Sequence, residues 1–174
     1  MRHLTKITPF LLLSLFFSTP ILINAKNVDQ LQAVFIERFT RFITWPQPIK
    51  SFNICVMKQD NIFHTLKEIY SIHPIKKSHC TFKKLLKPDE KELDSCHLLY
   101  IGKIDVSTKK TLLSKLQNRP ILTISAQPNY AKEGVMINFL LHDKHVHFEV
   151  NQKSLNSSHI KMSALLLNNA QKRY

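Results

Sequence analysis

The sequence predicts an α/β fold: a mostly parallel sheet flanked by helices, ending in an antiparallel hairpin and a C-terminal helix. Three observations carry this. Between residues 51 and 125, short apolar runs of strand length alternate with segments whose apolar positions recur at helical spacing, the rhythm of parallel strands joined by crossover helices. From 134 to 151, two strand-length runs meet at a tight polar turn around Asp143-Lys144, which reads as a hairpin. Finally, "MSALLLNNAQ" (162–171) returns to helical periodicity.

Residues 1–25 set the compartment. "MRHLTKITPFLLLSLFFSTPILINA" places Arg2 and Lys6 before a long apolar run and a small residue, Ala25, at the end, the three-part design of a secretory signal cleaved near Ala25. The competing reading is an uncleaved anchor from Ile7 to Ile23, but Pro9, Ser14, Ser18, Thr19 and Pro20 dilute the run. Residues 26–174 then have the size of a single domain with one core, and no repeat, low-complexity tract or Gly/Ser linker divides them.

The elements follow in order. Leu31, Val34, Phe35, Phe39, Phe42 and Ile43 recur at helical spacing and predict an amphipathic helix over 28–43. Trp45-Pro46 stops it, because proline disfavours helical geometry at the preceding residue and cannot extend the ladder. "SFNICVM" (51–57) is a strand, 61–70 a second amphipathic helix, "HCTFKKL" (79–85) a strand, and "KPDEKELDS" (87–95) a polar loop. "CHLLYIG" (96–102) reads as a buried strand. Residues 105–118 form a helix for which Asp105 and Ser107 are available caps, and "RPILTIS" (119–125) is the next strand.

Composition excludes several function classes. The chain holds two glycines, Gly102 and Gly134, too few for a phosphate-cradling loop. Its net charge is +13, and removing Arg2 and Lys6 with the leader makes it +11 (13 − 2). In an exported chain that balance points away from nucleic acid and toward anionic headgroups, cell-wall polymers, an acidic partner surface, or simply a solvated basic exterior. Ser125 has no nucleophile elbow around it, and Asp89, Glu90, Glu92 and Asp94 share one polar loop, so no enzyme class is supported.

Export sends cysteines where thiols are oxidised. Cys55 and Cys96 lie in apolar strand surroundings, and their pairing closes a loop of about 40 residues, worth roughly 3 to 4 kcal/mol by loop entropy. Cys80 remains, as a buried free thiol or an intermolecular bridge. In "HDKHVH" (142–147), His145 and His147 share a strand face, but a third ligand would have to come from His142 across the turn; neither metal nor cofactor is expected.

The ordered stretches "FTRFITWP", "FNICVM", "CHLLYIG", "PILTIS", "GVMINFLL", "VHFEVN" and "KMSALLL" resemble the successive landmarks of the YfiR family of periplasmic regulators, from about Val34 to Ala170. The chain departs from that pattern at Glu133-Gly134, where the family usually has two glycines, and at His159, where it usually has one. The resemblance implies a non-enzymatic inhibitor that binds the periplasmic sensor domain of a membrane diguanylate cyclase and lowers cyclic di-GMP. It also implies a disulfide at the positions of Cys55 and Cys96, an α/β sandwich like half of a periplasmic binding protein, and a homodimer in many members. The alternative is a small-molecule-binding module serving a transporter or sensor kinase. Phe35, Phe39, Phe42 and Trp45 are expected to pack on the sheet, with Phe39, Phe42 and Trp45 as candidates for a partner or dimer surface.

Overall fold

The computed structural model describes residues 25–142 and 145–174; the predicted secretory signal up to Asn24 and the Asp143-Lys144 turn lie outside the described residues. Helix α1 (Ala25–Arg41) ends two residues before the pattern predicts. The Phe42 amide donates back to the Phe39 carbonyl at 3.0 Å, and the Phe42 carbonyl accepts from the Ser163 amide at 2.9 Å. These bonds turn the chain into β1 (Ile43–Thr44), which pairs antiparallel with β8 (Lys161–Met162). Trp45 then plugs the corner. Its indole N–H donates to the His97 carbonyl at 3.2 Å, and its ring meets Phe52 edge-on at 5.3 Å.

Beyond the corner come β2 (Ser51–Met57), α2 (Asp60–Tyr70), β3 (His79–Leu85), α3 (Glu90–Asp94), β4 (Leu98–Ile101) and α4 (Val106–Lys115). The chain continues through β5 (Leu122–Ser125), α5 (Tyr130–Glu133), β6 (Ile137–His142), β7 (His145–Val150), α6 (Gln152–Ser157), α7 (Ala164–Asn168) and β9 (Lys172–Arg173). The main sheet has the order β3-β2-β4-β5-β6-β7-β9. Its first five strands are parallel, β6 and β7 form the antiparallel hairpin, and β9 joins β7 in parallel. The opening order, second strand beside first and then third, fourth and fifth, is that of a doubly wound sheet.

Both faces of this sheet are covered, which is why β4 and β5 are buried at every residue. β4 is an apolar run, and in β5 the Ser125 hydroxyl donates to the Ile101 carbonyl at 2.7 Å while the Thr123 hydroxyl accepts from the Met136 amide at 2.8 Å. Phe52, Ile54, Leu98, Tyr100, Ile124, Phe139 and Phe148 meet α1, α2 and α7 on one face. Cys55, Met57, Leu99 and Ile101 meet Leu93, Leu112 and Leu116 on the other.

Two expectations need correction. The polar stretch 87–95 is not all loop: Asp89 accepts from the Lys91 and Glu92 amides and caps α3. The closing helix does not fill 162–171. Ser163 caps a short α7, and the Gln171 amide then donates to the Phe148 carbonyl at 2.9 Å, drawing the tail onto the sheet edge as β9. His159, at the position where the resemblance implies a glycine, adopts a left-handed φ of +61° that glycine would take without strain.

A disulfide joins Cys55 to Cys96 across 41 residues, with the Cα atoms 5.8 Å apart. Cys96 sits in the turn between α3 and β4, so the bond ties the middle of β2 to the entry of its neighbour. Cys80, half-buried on the edge strand β3, is a free thiol, and burial pushes its pKa up.

Two measurements check this framework. Breaking the Cys55–Cys96 bond with Cys55→Ser or Cys96→Ser should remove about 4 kcal/mol and lower the melting temperature by roughly 10 °C, while Cys80→Ser should change it little. Gly102 donates its amide to the Met57 carbonyl at 2.8 Å, and a Cβ there would stand 2.2 Å from the Lys58 carbonyl oxygen. Gly102→Ala should therefore push β2 and β4 apart at their carboxyl ends and cost on the order of 3 kcal/mol, read by urea unfolding.

Candidate partner-binding surface

The rotation of α1 about its axis decides what this face of the molecule presents. Its inner side consists of Asp29, Gln32, Ala33, Ile36, Phe39 and Thr40, all buried. Phe39 lies between Phe139, stacked at 5.5 Å, and Phe148 at 4.9 Å. The polar members hold their places by bonding inward or along the helix. The Tyr100 hydroxyl donates to the Gln32 side-chain oxygen at 2.6 Å, and the Thr40 hydroxyl donates to the Glu37 carbonyl at 2.7 Å. Burial raises the pKa of the Asp29 carboxyl and pushes the Tyr100 phenol up, with the Asp29 charge adding to the latter. From α2, the Tyr70 hydroxyl donates to the Ala33 carbonyl and locks the two helices together.

With that side inward, Leu31, Val34, Arg38 and Phe42 face out, and Phe35 is half-buried beside them. The expected stripe is thus split. Phe39 and Ile43 pack on the sheet, whereas Leu31, Val34 and Phe42 do not. The sequence pattern places them together because Asp29, Gln32 and Thr40 read as polar surface, although they are buried. Phe42 is 38% exposed and forms one wall of an open groove of about 420 Å³. The other walls are Phe35, Arg38 and Phe39 of α1, Val146, His147 and Phe148 of β7, Leu165 and Leu166 of α7, and Asn169 just beyond it. Leu165 is 61% exposed, and Leu141, paired with Val146, carries the apolar surface toward the hairpin end.

The aromatic residues singled out from sequence therefore separate. Phe42 lies on the surface, while Phe39 and Trp45 belong to the core and each shows only an edge to a groove. Leu165, Val146 and Leu141 are surface contributors that sequence reading missed. One cue was available: the apolar residues Val28, Leu31, Ala33, Val34, Phe35, Ile36 and Phe39 of α1 spread over more of the helix circumference than one face can bury.

The crest of the sheet offers less. Doubly wound sheets hold ligands at the carboxyl ends of the strands, where the chain order reverses, here between β2 and β4. In this chain the backbones of Lys58 and Gly102 press together at that point. The helices starting there bring their own carboxylates: Asp105 accepts from the Thr108 amide at 2.8 Å, and Asp60 pairs with Lys84 at 2.9 Å. Among the described residues no group of three His, Cys, Asp or Glu side chains is placed to hold a metal ion, and no helix is long and apolar enough to cross a membrane.

The fold thus leaves an apolar helix face and a groove beside it open to solvent. The chain belongs to the YfiR/HmsC-like family, whose pattern matches residues 29–171, and the family comprises periplasmic regulators of diguanylate cyclases. No curated protein matches the sequence. Among solved structures, the chain is similar to an ABC domain from Streptococcus pneumonia in complex with L-Trp, at 11% identity with a TM-score of 0.57. It is also similar to a conserved domain protein from Vibrio cholerae, at 11% identity with a TM-score of 0.56. Each match covers 84% of this chain and 60% of the other, so the chain spans well under two thirds of either, and the likeness is one of fold.

The seat of α1 can be measured. Gln32→Leu keeps the volume but leaves the buried Tyr100 hydroxyl without its acceptor, and should cost about 1–3 kcal/mol. Adding Tyr100→Phe removes the orphaned group, so the double variant should recover most of that loss in denaturant unfolding.

Proposed function

We propose that the chain is exported, loses its leader near Ala25, and acts as a single domain of residues 26–174 that inhibits by contact. It binds the periplasmic sensor domain of a membrane diguanylate cyclase, holds the enzyme down, and lowers cyclic di-GMP on the other side of the membrane without catalysing any reaction itself. The observation that carries this reading is the family match over 29–171, and an uncovered apolar face beside a groove suits a protein that works by binding another. The net charge of +11 left after the leader (13 − 2) favours an acidic partner surface or anionic headgroups near the membrane.

The alternative, a small-molecule-binding module serving a transporter or sensor kinase, draws on the fold likeness to a domain solved with L-Trp. At the crest between β2 and β4 the backbones of Lys58 and Gly102 lie close together, which leaves less room for a ligand there.

Deleting the gene should raise cyclic di-GMP several-fold and increase biofilm, and expression of the exported chain should reverse both. Unchanged cyclic di-GMP in a deletion strain that possesses the partner cyclase would remove this reading.

A further inference from the structure

His97 fills a place in the sheet that backbone ordinarily takes. Its main chain is fully used: the amide donates to the Asn53 carbonyl at 2.9 Å, and the carbonyl accepts from the Leu122 amide at 2.9 Å and the Trp45 indole at 3.2 Å. The side chain supplies the return bond to β2, where the Asn53 amide donates to Nδ1 of the imidazole at 3.0 Å. A ring nitrogen thus stands where a parallel ladder would place a carbonyl. The ring also stacks on Phe52 at 5.7 Å, and Phe52 meets Trp45 edge-on. One residue therefore ties β2, β5 and the corner after β1, next to Cys96 of the disulfide.

We propose that His97 is an acid-sensitive latch: a proton taken up at Nδ1 expels the imidazole from its bond with the Asn53 amide and frees the corner that Trp45 plugs. Nδ1 accepts only while it carries no hydrogen. The imidazolium has an N–H at both ring nitrogens, so no rotation of the ring restores an acceptor, and two donors then face each other across β2 and β4. The Asn53 side chain cannot step in, because its Nδ2 donates to the Ser95 carbonyl at 2.6 Å and its Oδ1 accepts from the Thr81 hydroxyl at 2.7 Å. The titratable groups on the elements around the ring are Lys50 and Lys76 near the corner, His79 at the start of β3, and Asp94, paired with Arg119, at the end of α3. Among the described residues none of them bonds the imidazole, and burial lowers its pKa. The unfolded chain's histidine titrates near the ordinary value of 6.5 and the folded one below it. Between those two values the unfolded state binds more protons, so stability falls as the pH falls, by up to about ten-fold in the folding constant per pH unit. Above them the latch is closed. In an exported chain it couples the corner that follows α1 to the acidity of the surroundings.

The test uses the exported chain with its disulfide intact. Nitrogen spectra of the imidazole should show Nδ1 without a proton at neutral pH and a midpoint for His97 below 6.5. Once corrected for intrinsic rates, protection of the Asn53 amide from hydrogen exchange should drop about ten-fold or more as the pH falls through that midpoint. Trp45 is the chain's one tryptophan, so its fluorescence reads the corner directly and should shift with the same midpoint while amides of β4 and β5 remain protected. His97→Asn puts an oxygen that does not titrate in the place of Nδ1. That variant should hold the Asn53 amide and lose the Trp45 transition, leaving only the pH dependence of the other groups. A His97 midpoint at or above the ordinary value, an Asn53 amide still protected below the midpoint, or a Trp45 transition unchanged in His97→Asn would each overturn the latch. Should His97→Asn fail to fold, the spectra and exchange of the unaltered chain decide the matter by themselves.

Discussion

The seating of α1 on the sheet is the constraint on which the candidate surface depends. Phe39 fits between two phenylalanines of the hairpin, and Gln32 accepts from Tyr100 inside the core. An aromatic insertion resists sliding and a buried hydrogen bond resists rotation, because breaking it leaves a desolvated hydroxyl. Together they allow one orientation of the helix. In that orientation Leu31, Val34 and Phe42 have nowhere to go but outward, and Arg38 stands among them.

The rest of the architecture supports this arrangement. A parallel sheet covered on both faces is rigid, and the disulfide from β2 to the entry of β4 adds a covalent tie on the face opposite α1. The Trp45 plug seals the same end of the sheet: His97, next to Cys96, accepts the indole N–H through its carbonyl, and its ring stacks on Phe52 at 5.7 Å. Burial lowers the pKa of that imidazole, whose Nδ1 accepts from the Asn53 amide at 3.0 Å. The open helix face is thus mounted on a scaffold braced from behind. A surface whose residues are held in place before contact spends less of its binding energy on ordering them.

The same close packing shapes the crest of the sheet. At the carboxyl ends of β2 and β4 the chain uses one of its two glycines to bring backbones together, and the N-terminus of α4 is capped by its own Asp105. Helix dipoles satisfied from within have little left for an external anion.

Much of the architecture was legible in the sequence. Strand-length apolar runs, the Trp-Pro stop and the Asp105 cap are local features with local physical causes, and they place the main strands and the α2 and α4 helices within a few residues. The pairing of Cys55 with Cys96 also followed from compartment and apolar context. Less was legible where a distant partner makes the decision. The β1 and β8 pair and the β9 edge strand are only two residues each, so they exist through hydrogen bonds to chain far away in sequence. Of Phe39, Phe42 and Trp45, expected as candidates for a surface, Phe42 is exposed and the core takes the other two. Periodicity by itself determined that α1 is a helix with more apolar residues than one face can bury. Which of them it buries was decided only by the tertiary structure, because Gln32 and Thr40 count as polar in any pattern until Tyr100 and the helix's own carbonyl satisfy them in the interior.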